Sequence, residues 1–197
     1  MEPYKQRIRE AAVNRNIETL FHFTNTANLE SIISHGLVPR GLLDEAAHPY
    51  APTDNYRIDG RLDTVSLSIS DVNRAMFASK RKLYPKASWV VLLLAPSILW
   101  IKRCRFCERS AASREMTSKG GAQAGPESFR YLFIDNQGSD YGSFPARSDA
   151  EVLVYGQIEP SFIRGAWTDR KNLANYVQKQ LDRISGEDLP TFLRPFD

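Results

Sequence analysis

The run Trp-Val-Val-Leu-Leu-Leu at residues 89 to 94 sets the first constraint on how this chain can fold. A continuous apolar stretch of that length, ended by Ala95 and Pro96, suits a central strand covered on both faces. It falls far short of the roughly 20 residues that cross a bilayer, and no longer apolar run occurs, so no membrane span is expected. A different strand stands upstream. In Asp63-Thr-Val-Ser-Leu-Ser-Ile-Ser70, apolar Val65, Leu67 and Ile69 alternate with Ser66 and Ser68, the period of a half-buried strand. Residues 19 to 24 have strand density, and Glu151-Val-Leu-Val-Tyr155 reads as the last strong strand.

Helical spacing fills the intervals. Residues 2 to 15 place Ile8, Ala11 and Ala12 on one face, and Asn25 or Thr26 can cap a helix carrying Leu29, Ile32 and Ile33 that Gly36 stops. Further helices are expected through Met76 and Phe77, over 127 to 134, and from about 169 to 184. Pro49, Pro52 and Gly60 make 46 to 60 a surface loop, and the glycine-rich stretch 119 to 126 is expected to be mobile. This mixed order predicts an α+β fold with a central mixed or antiparallel sheet and flanking helices, not a doubly wound one. Gly-x-Gly-x-x-Gly is absent, which excludes a Rossmann crevice.

At 197 residues the chain fills a single domain, 1–197, and its 42% hydrophobic and 25% charged residues exclude a disordered class. The N-terminus has no apolar core of the secretory type, so a cytoplasmic location is expected. Cys104 and Cys107 form half of a zinc pattern, but no second ligand pair exists and His22, His35 and His48 are scattered, so two reduced cysteines near a strand end and no metal are expected. A net charge of +3 permits contact with phosphates without demanding it.

Four local patterns carry chemistry: Phe21-His-Phe-Thr24 with Asn28 and Gly36; Asn55-Tyr-Arg-Ile-Asp-Gly60; Ser66-Leu-Ser-Ile-Ser-Asp-Val-Asn73 with Met76 and Phe77; and Asp149-Ala-Glu-Val-Leu-Val154. In this order and spacing they resemble the DarT family of nucleic-acid ADP-ribosyltransferases, over about residues 20 to 163, with a core near 18–166. Arg57, Asp59, Gly60, Asn73, Met76, Phe77, Trp89, Phe106 and Cys107 fall on motif positions of one variant of that family. The chain departs where members often read Gln-Ala-Glu, having Asp149-Ala-Glu151, and where they read Asn-Ala-Ala, having Ser110-Ala-Ala.

The resemblance implies an NAD cleft and transfer of ADP-ribose to a base of single-stranded DNA or RNA, with nicotinamide released. It implies Glu151 as the catalytic carboxylate, and a carboxylate beside the ribose stabilises the positive charge that develops there as the nicotinamide bond breaks. Strand alternation turns His22 away from Phe21 and Phe23 and puts Thr24 on its face; in the family this His-x-Thr pair contacts NAD, and Asn28 and Gly36 match beside it. Arg57 is the second catalytic candidate, its guanidinium suited to a pyrophosphate or to positioning the nucleophile, with Arg61 the nearby competitor and Asp59 placed to orient either. Ser68 and Asn73 line the nicotinamide pocket or cap a strand-to-helix junction. Arg74, Lys80, Arg81, Lys82 and Lys86, with Tyr84 for stacking and Ser110 facing the substrate, are candidates for the nucleic acid or a solvated helical face. The family relation further implies a toxin or defence role, restrained by an antitoxin that is often a macrodomain protein. A protein-modifying transferase and a catalytically silent binding module of the same fold are the alternatives.

Overall fold

The computed structural model describes residues 1–45, 50–51, 60–118, 121–184 and 188–196. Strands β1 (Leu20–Asn25), β2 (Thr64–Ile69), β3 (Trp89–Leu94), β4 (Cys104–Cys107), β5 (Glu151–Tyr155), β6 (Ile163–Thr168) and β7 (Thr191–Leu193) form one sheet in the order β4-β5-β2-β1-β3-β6-β7. Neighbours are antiparallel except β6 and β7, which run parallel, so the sheet is mixed. The apolar run is β3, paired with β1 along its whole length and with β6 on its other side. Val90, Leu92 and Leu94 enter the main core with Leu20, Val65, Leu67 and Ile69, while Trp89 and Val91 point to an aromatic layer on the opposite face.

The helices cover the two faces as their apolar spacing dictates. Helix α1 (Pro3–Asn14) buries Ile8 and Ala12, and α2 (Leu29–His35) buries Leu29, Ile32 and Ile33 and packs on α8 (Lys171–Leu181). A 3-10 turn, Thr26–Asn28, precedes α2 and is capped by the Asn25 side chain, which accepts from the Ala27 amide. Helix α4 (Arg74–Leu83) lays Phe77 on the aromatic layer, stacked on Phe23 at 4.7 Å and edge-on to Trp89 at 5.6 Å.

Several elements are additional to those expected: β4, β6, β7 and the short helices α3 (Arg40–Glu45), α5 (Ile98–Ile101) and α6 (Arg114–Ser118). Glu151–Tyr155 is therefore not the last strand. Helix α7 (Pro126–Tyr131) is shorter than expected, because the chain turns at Leu132. Of the stretch 119 to 126, residues 119 and 120 lie outside the described residues, and Gln123 is tied to the sheet, exchanging backbone hydrogen bonds of 2.7 and 3.1 Å with Phe106. Residues 46–49 and 52–59 of the expected surface loop lie outside the described residues.

One irregularity positions everything that follows. β1 pairs with β3 at six positions but with β2 only at Leu20↔Ile69 and Phe21↔Ser68. Beyond Phe21 the sheet opens between β1 and β2, leaving β4-β5-β2 on one side of a split and β1-β3-β6-β7 on the other.

Candidate active site

The split is the floor of a cleft lined by Phe21 to Thr24 of β1, Thr64 to Ser68 of β2, Asn28, Gly36, Arg40, Tyr50, Asn73, Lys80, Ser110 and Glu151. His22 bridges the gap. Its Nδ1 lies 3.0 Å from the Ser66 carbonyl oxygen, and since a carbonyl only accepts, Nδ1 carries a proton and donates it there. Thr24, buried two residues on, accepts a 3.1 Å hydrogen bond from Asn28 Nδ2, which directs the threonine's own proton elsewhere. Asn28 also donates to the Ala51 carbonyl and accepts from the Ala51 amide at 2.6 Å. Its amide thus orients Thr24 and pins the chain at Ala51 over the cleft.

Glu151 opens β5 and is 7% exposed. Pairing of Leu67 with Val152 and of Cys107 with Glu151 fixes the residue between β2 and β4, so its carboxylate leaves a rigid backbone. Its Oε2 accepts from the Ala111 amide at 3.3 Å, and Asp149 Oδ2 accepts from the Ser110 amide and from Arg109 Nε, each at 3.3 Å. The segment 109–111 is thereby clamped onto both carboxylates, which sets Ser110 at the cleft rim. Arg109 has its pKa raised, chiefly by the charge of Asp149.

Gly36 closes the other wall. Its φ is +81°, and a Cβ there would stand 2.1 Å from the Ile158 carbonyl oxygen, so only glycine lets α2 end against the Leu37↔Ile158 bridge. Asn73 caps α4, its Oδ1 accepting from the Met76 amide at 3.0 Å, while the Asn73 amide donates to Ser68 Oγ at 3.3 Å. Capping and lining the cleft are both true of this pair.

A histidine, a threonine hydroxyl, serines and the cations Arg40 and Lys80 meet one buried carboxylate here, a donor set that fits a ligand with ribose hydroxyls and a pyrophosphate. The model of the DarT family, described as ssDNA thymidine ADP-ribosyltransferase, matches residues 21–195. The chain belongs to the DarT family. Its fold is similar to that of Thermus sp. 2.9 DarT in complex with ADP-ribosylated ssDNA, with a TM-score of 0.65 and 14% identity over 91% of this chain and 95% of that one. The same DarT in complex with NAD+ gives a TM-score of 0.55 at 12% identity, covering 90% and 95%. Thermosipho africanus DarTG in complex with ADP-ribose gives 0.62 at 14% identity, covering 89% of this chain but only 50% of that one, so the chain spans half of that relative's length. No curated protein sequence matches.

Of the residues expected in the DarT site, His22, Thr24, Asn28, Gly36, Ser68, Asn73, Lys80, Ser110 and Glu151 meet in the cleft. Arg57 and Asp59 lie outside the described residues. Arg61 does not line the cleft; its Nη1 donates to Tyr155 Oη at 3.1 Å, at the opposite end of β5 from Glu151. Arg74 pairs with Asp71 at 2.8 Å, Arg81 lies over the rings of Phe77 and Phe196, and Tyr84 packs on the aromatic layer; none of the three lines the cleft. Arg40, Ser31 and Tyr50 went unnoticed in the sequence. Pro39 ahead of Arg40 was the available signal, because its carbonyl accepts from the Leu42 and Leu43 amides and starts α3.

Cys104 and Cys107 are buried free thiols at the first and last positions of β4, at strand ends as expected. Three residues apart on a strand, they point to opposite faces, and burial pushes the Cys104 thiol up to about 12. Among the described residues no group of three His, Cys, Asp or Glu is arranged to hold a metal, and no helix is long and apolar enough to cross a membrane.

Proposed function

We propose that this chain transfers ADP-ribose from NAD to a base of single-stranded nucleic acid, thymidine in DNA first, and releases nicotinamide. The observation that carries this reading is the convergence of His22, Thr24 and the buried Glu151 on one cleft at the split between β1 and β2. His22 and Thr24 hold ribose hydroxyls. Arg40 and Lys80 supply positive charge for the pyrophosphate, and Arg57 is the second catalytic residue. Glu151 stabilises the positive charge that grows on the ribose as the bond to nicotinamide breaks, and accepts the proton released by the attacking base nitrogen. Ser110, at the rim, faces the incoming base. A single-stranded substrate follows from the chemistry, because the attacking nitrogen is hidden in a duplex and unpairing costs about a few kcal/mol. In the cell such an activity acts as a toxin or defence effector and calls for an antitoxin, a macrodomain hydrolase being the expected kind.

The test is incubation of the purified chain with labelled NAD and separate pools of single-stranded DNA, RNA and protein, followed by nucleoside mass spectrometry. Label on thymidine of DNA is expected, and Glu151→Ala should abolish both the label and the arrest of growth on expression. Label confined to protein overturns the reading, and label on RNA redirects it. An unchanged Glu151→Ala variant would make the chain a binding module.

A further inference from the structure

Three arginines gather at the far end of β5 without a carboxylate to explain two of them. Arg103 lies over the Tyr155 ring at 4.4 Å and Arg105 at 6.0 Å, while Arg61 donates to the Tyr155 hydroxyl. Neighbouring cations are neutralised: Lys102 by Glu159 at 2.6 Å, and Arg109 by Asp149 and Glu115. Arg103 and Arg105 have no acidic partner among the described residues; Arg105 donates only to the Ala122 carbonyl, at 2.8 Å. Like charges gathered on one face repel, so an arrangement that rigidifies guanidinium groups around a ring and leaves their charge unmatched is suited to an external anion.

Strand alternation relates this cluster to the active site. Glu151, Leu153 and Tyr155 share one face of β5, and Arg105 is opposite Leu153 on β4, the outermost strand on that side of the sheet. Four residues of strand span about 13 Å from Glu151 to Tyr155, roughly four stacked nucleotides at about 3.4 Å each and fewer in an extended strand. Leu153 between them is roofed by Ala111 and Met116, and the exposed Arg114 stands on that roof. Along β5, the unmatched charges of Arg103 and Arg105 thus lie past Leu153 from Glu151, with the exposed Arg114 on the helix that covers Leu153.

Resting on the transfer to single-stranded nucleic acid argued above, we infer that Arg103 and Arg105, braced by Tyr155, hold the sugar and phosphate backbone of that strand a few nucleotides from the modified base. The test compares the full-length chain with its Arg103→Gln/Arg105→Gln variant, using thymidine-containing DNA oligonucleotides of about 20 and of three nucleotides. Binding of the longer one is read by fluorescence anisotropy across a salt series. Each phosphate contact to a single strand contributes about 0.7 to the slope of log K against log salt, so the variant's slope should be shallower by about 1.4. KM should rise on the order of tenfold for the long oligonucleotide and not for the trinucleotide. An unchanged slope overturns the inference and leaves the arginines as guards of a sheet edge. Equal loss on both lengths, or a weakened hold on NAD, overturns it as well, since the cluster would then act on the cleft. Because anisotropy needs no turnover, a slope change in the absence of any transfer would uphold this surface while rejecting the proposed reaction.

Discussion

Asp149 and Glu151, two residues apart, do different work with the same chemical group. Glu151 is buried at the cleft and gives Oε2 to the Ala111 amide, whereas Asp149 is half-buried behind it and receives the Ser110 amide and Arg109. Where DarT sequences often have glutamine, a carboxylate here adds a charge for Arg109 to the hydrogen bond that a neutral amide oxygen could accept. Asp149→Ala should therefore loosen Ser110 to Ala112 and lower kcat by about tenfold, since small displacements of positioning groups are costly in rate. Asp149→Asn should recover most of that loss, and both variants should keep the wild-type KM for NAD. Equal kcat for the alanine variant and the wild type would show that the clamp does not position the substrate. Single residues were legible where one periodicity governs them: alternation alone turned His22 and Thr24 from Phe21 and Phe23. The role of Asn28 was not, because its partner Ala51 is 23 residues away, a contact that no local pattern encodes.

At the scale of elements, the end of α2 is where backbone geometry and site are most tightly joined. Gly36 adopts a conformation nearly confined to glycine, with ψ of −173°, and the space for a side chain is already filled by the Ile158 carbonyl. Gly36→Ala should cost about 3 kcal/mol, lowering Tm by roughly 6–12 °C for a domain of this size, as read by calorimetry. An unaltered Tm would mean that the turn relaxes freely and that the wall of the cleft is softer than its packing implies. The elements that the sequence disclosed share a strong period: β2 alternates, β3 is uniformly apolar, and α1, α4 and α8 each carry an apolar stripe. Those it hid are short or break the pattern. β6 reads Ile-Arg-Gly-Ala-Trp-Thr with burial of every residue but Arg164, and β7 has three residues whose pairing depends on β6 being in place. Helices of four to six residues such as α3, α5 and α6 lie below the length at which propensity can signal them.

For the whole molecule, the sheet's split makes ligand binding and stability one problem. Two register pairs join β1 to β2, and past them His22 reaches across to Ser66 while the remaining walls of the cleft come from opposite sides. A ligand seated there contacts β1 on one side and β2 and β5 on the other, and so closes a place where the backbone ladder is interrupted. An NAD analogue with an uncleavable nicotinamide bond, present at about 100 times its Kd, should stabilise the native state by about 2.7 kcal/mol, raising Tm by roughly 5–10 °C. The size of that shift follows from mass action alone; its dependence on sequence is what locates the site. Thr24→Val removes the hydroxyl directed by Asn28 without changing the strand, so it should lower the ligand-free Tm only by the few degrees of one lost hydrogen bond and diminish the shift. Arg81→Gln, on the aromatic layer and away from the cleft lining, should change the ligand-free Tm and leave the shift intact. A full shift in Thr24→Val together with a lost shift in Arg81→Gln would move the nucleotide site out of the cleft and onto the aromatic layer around Phe77.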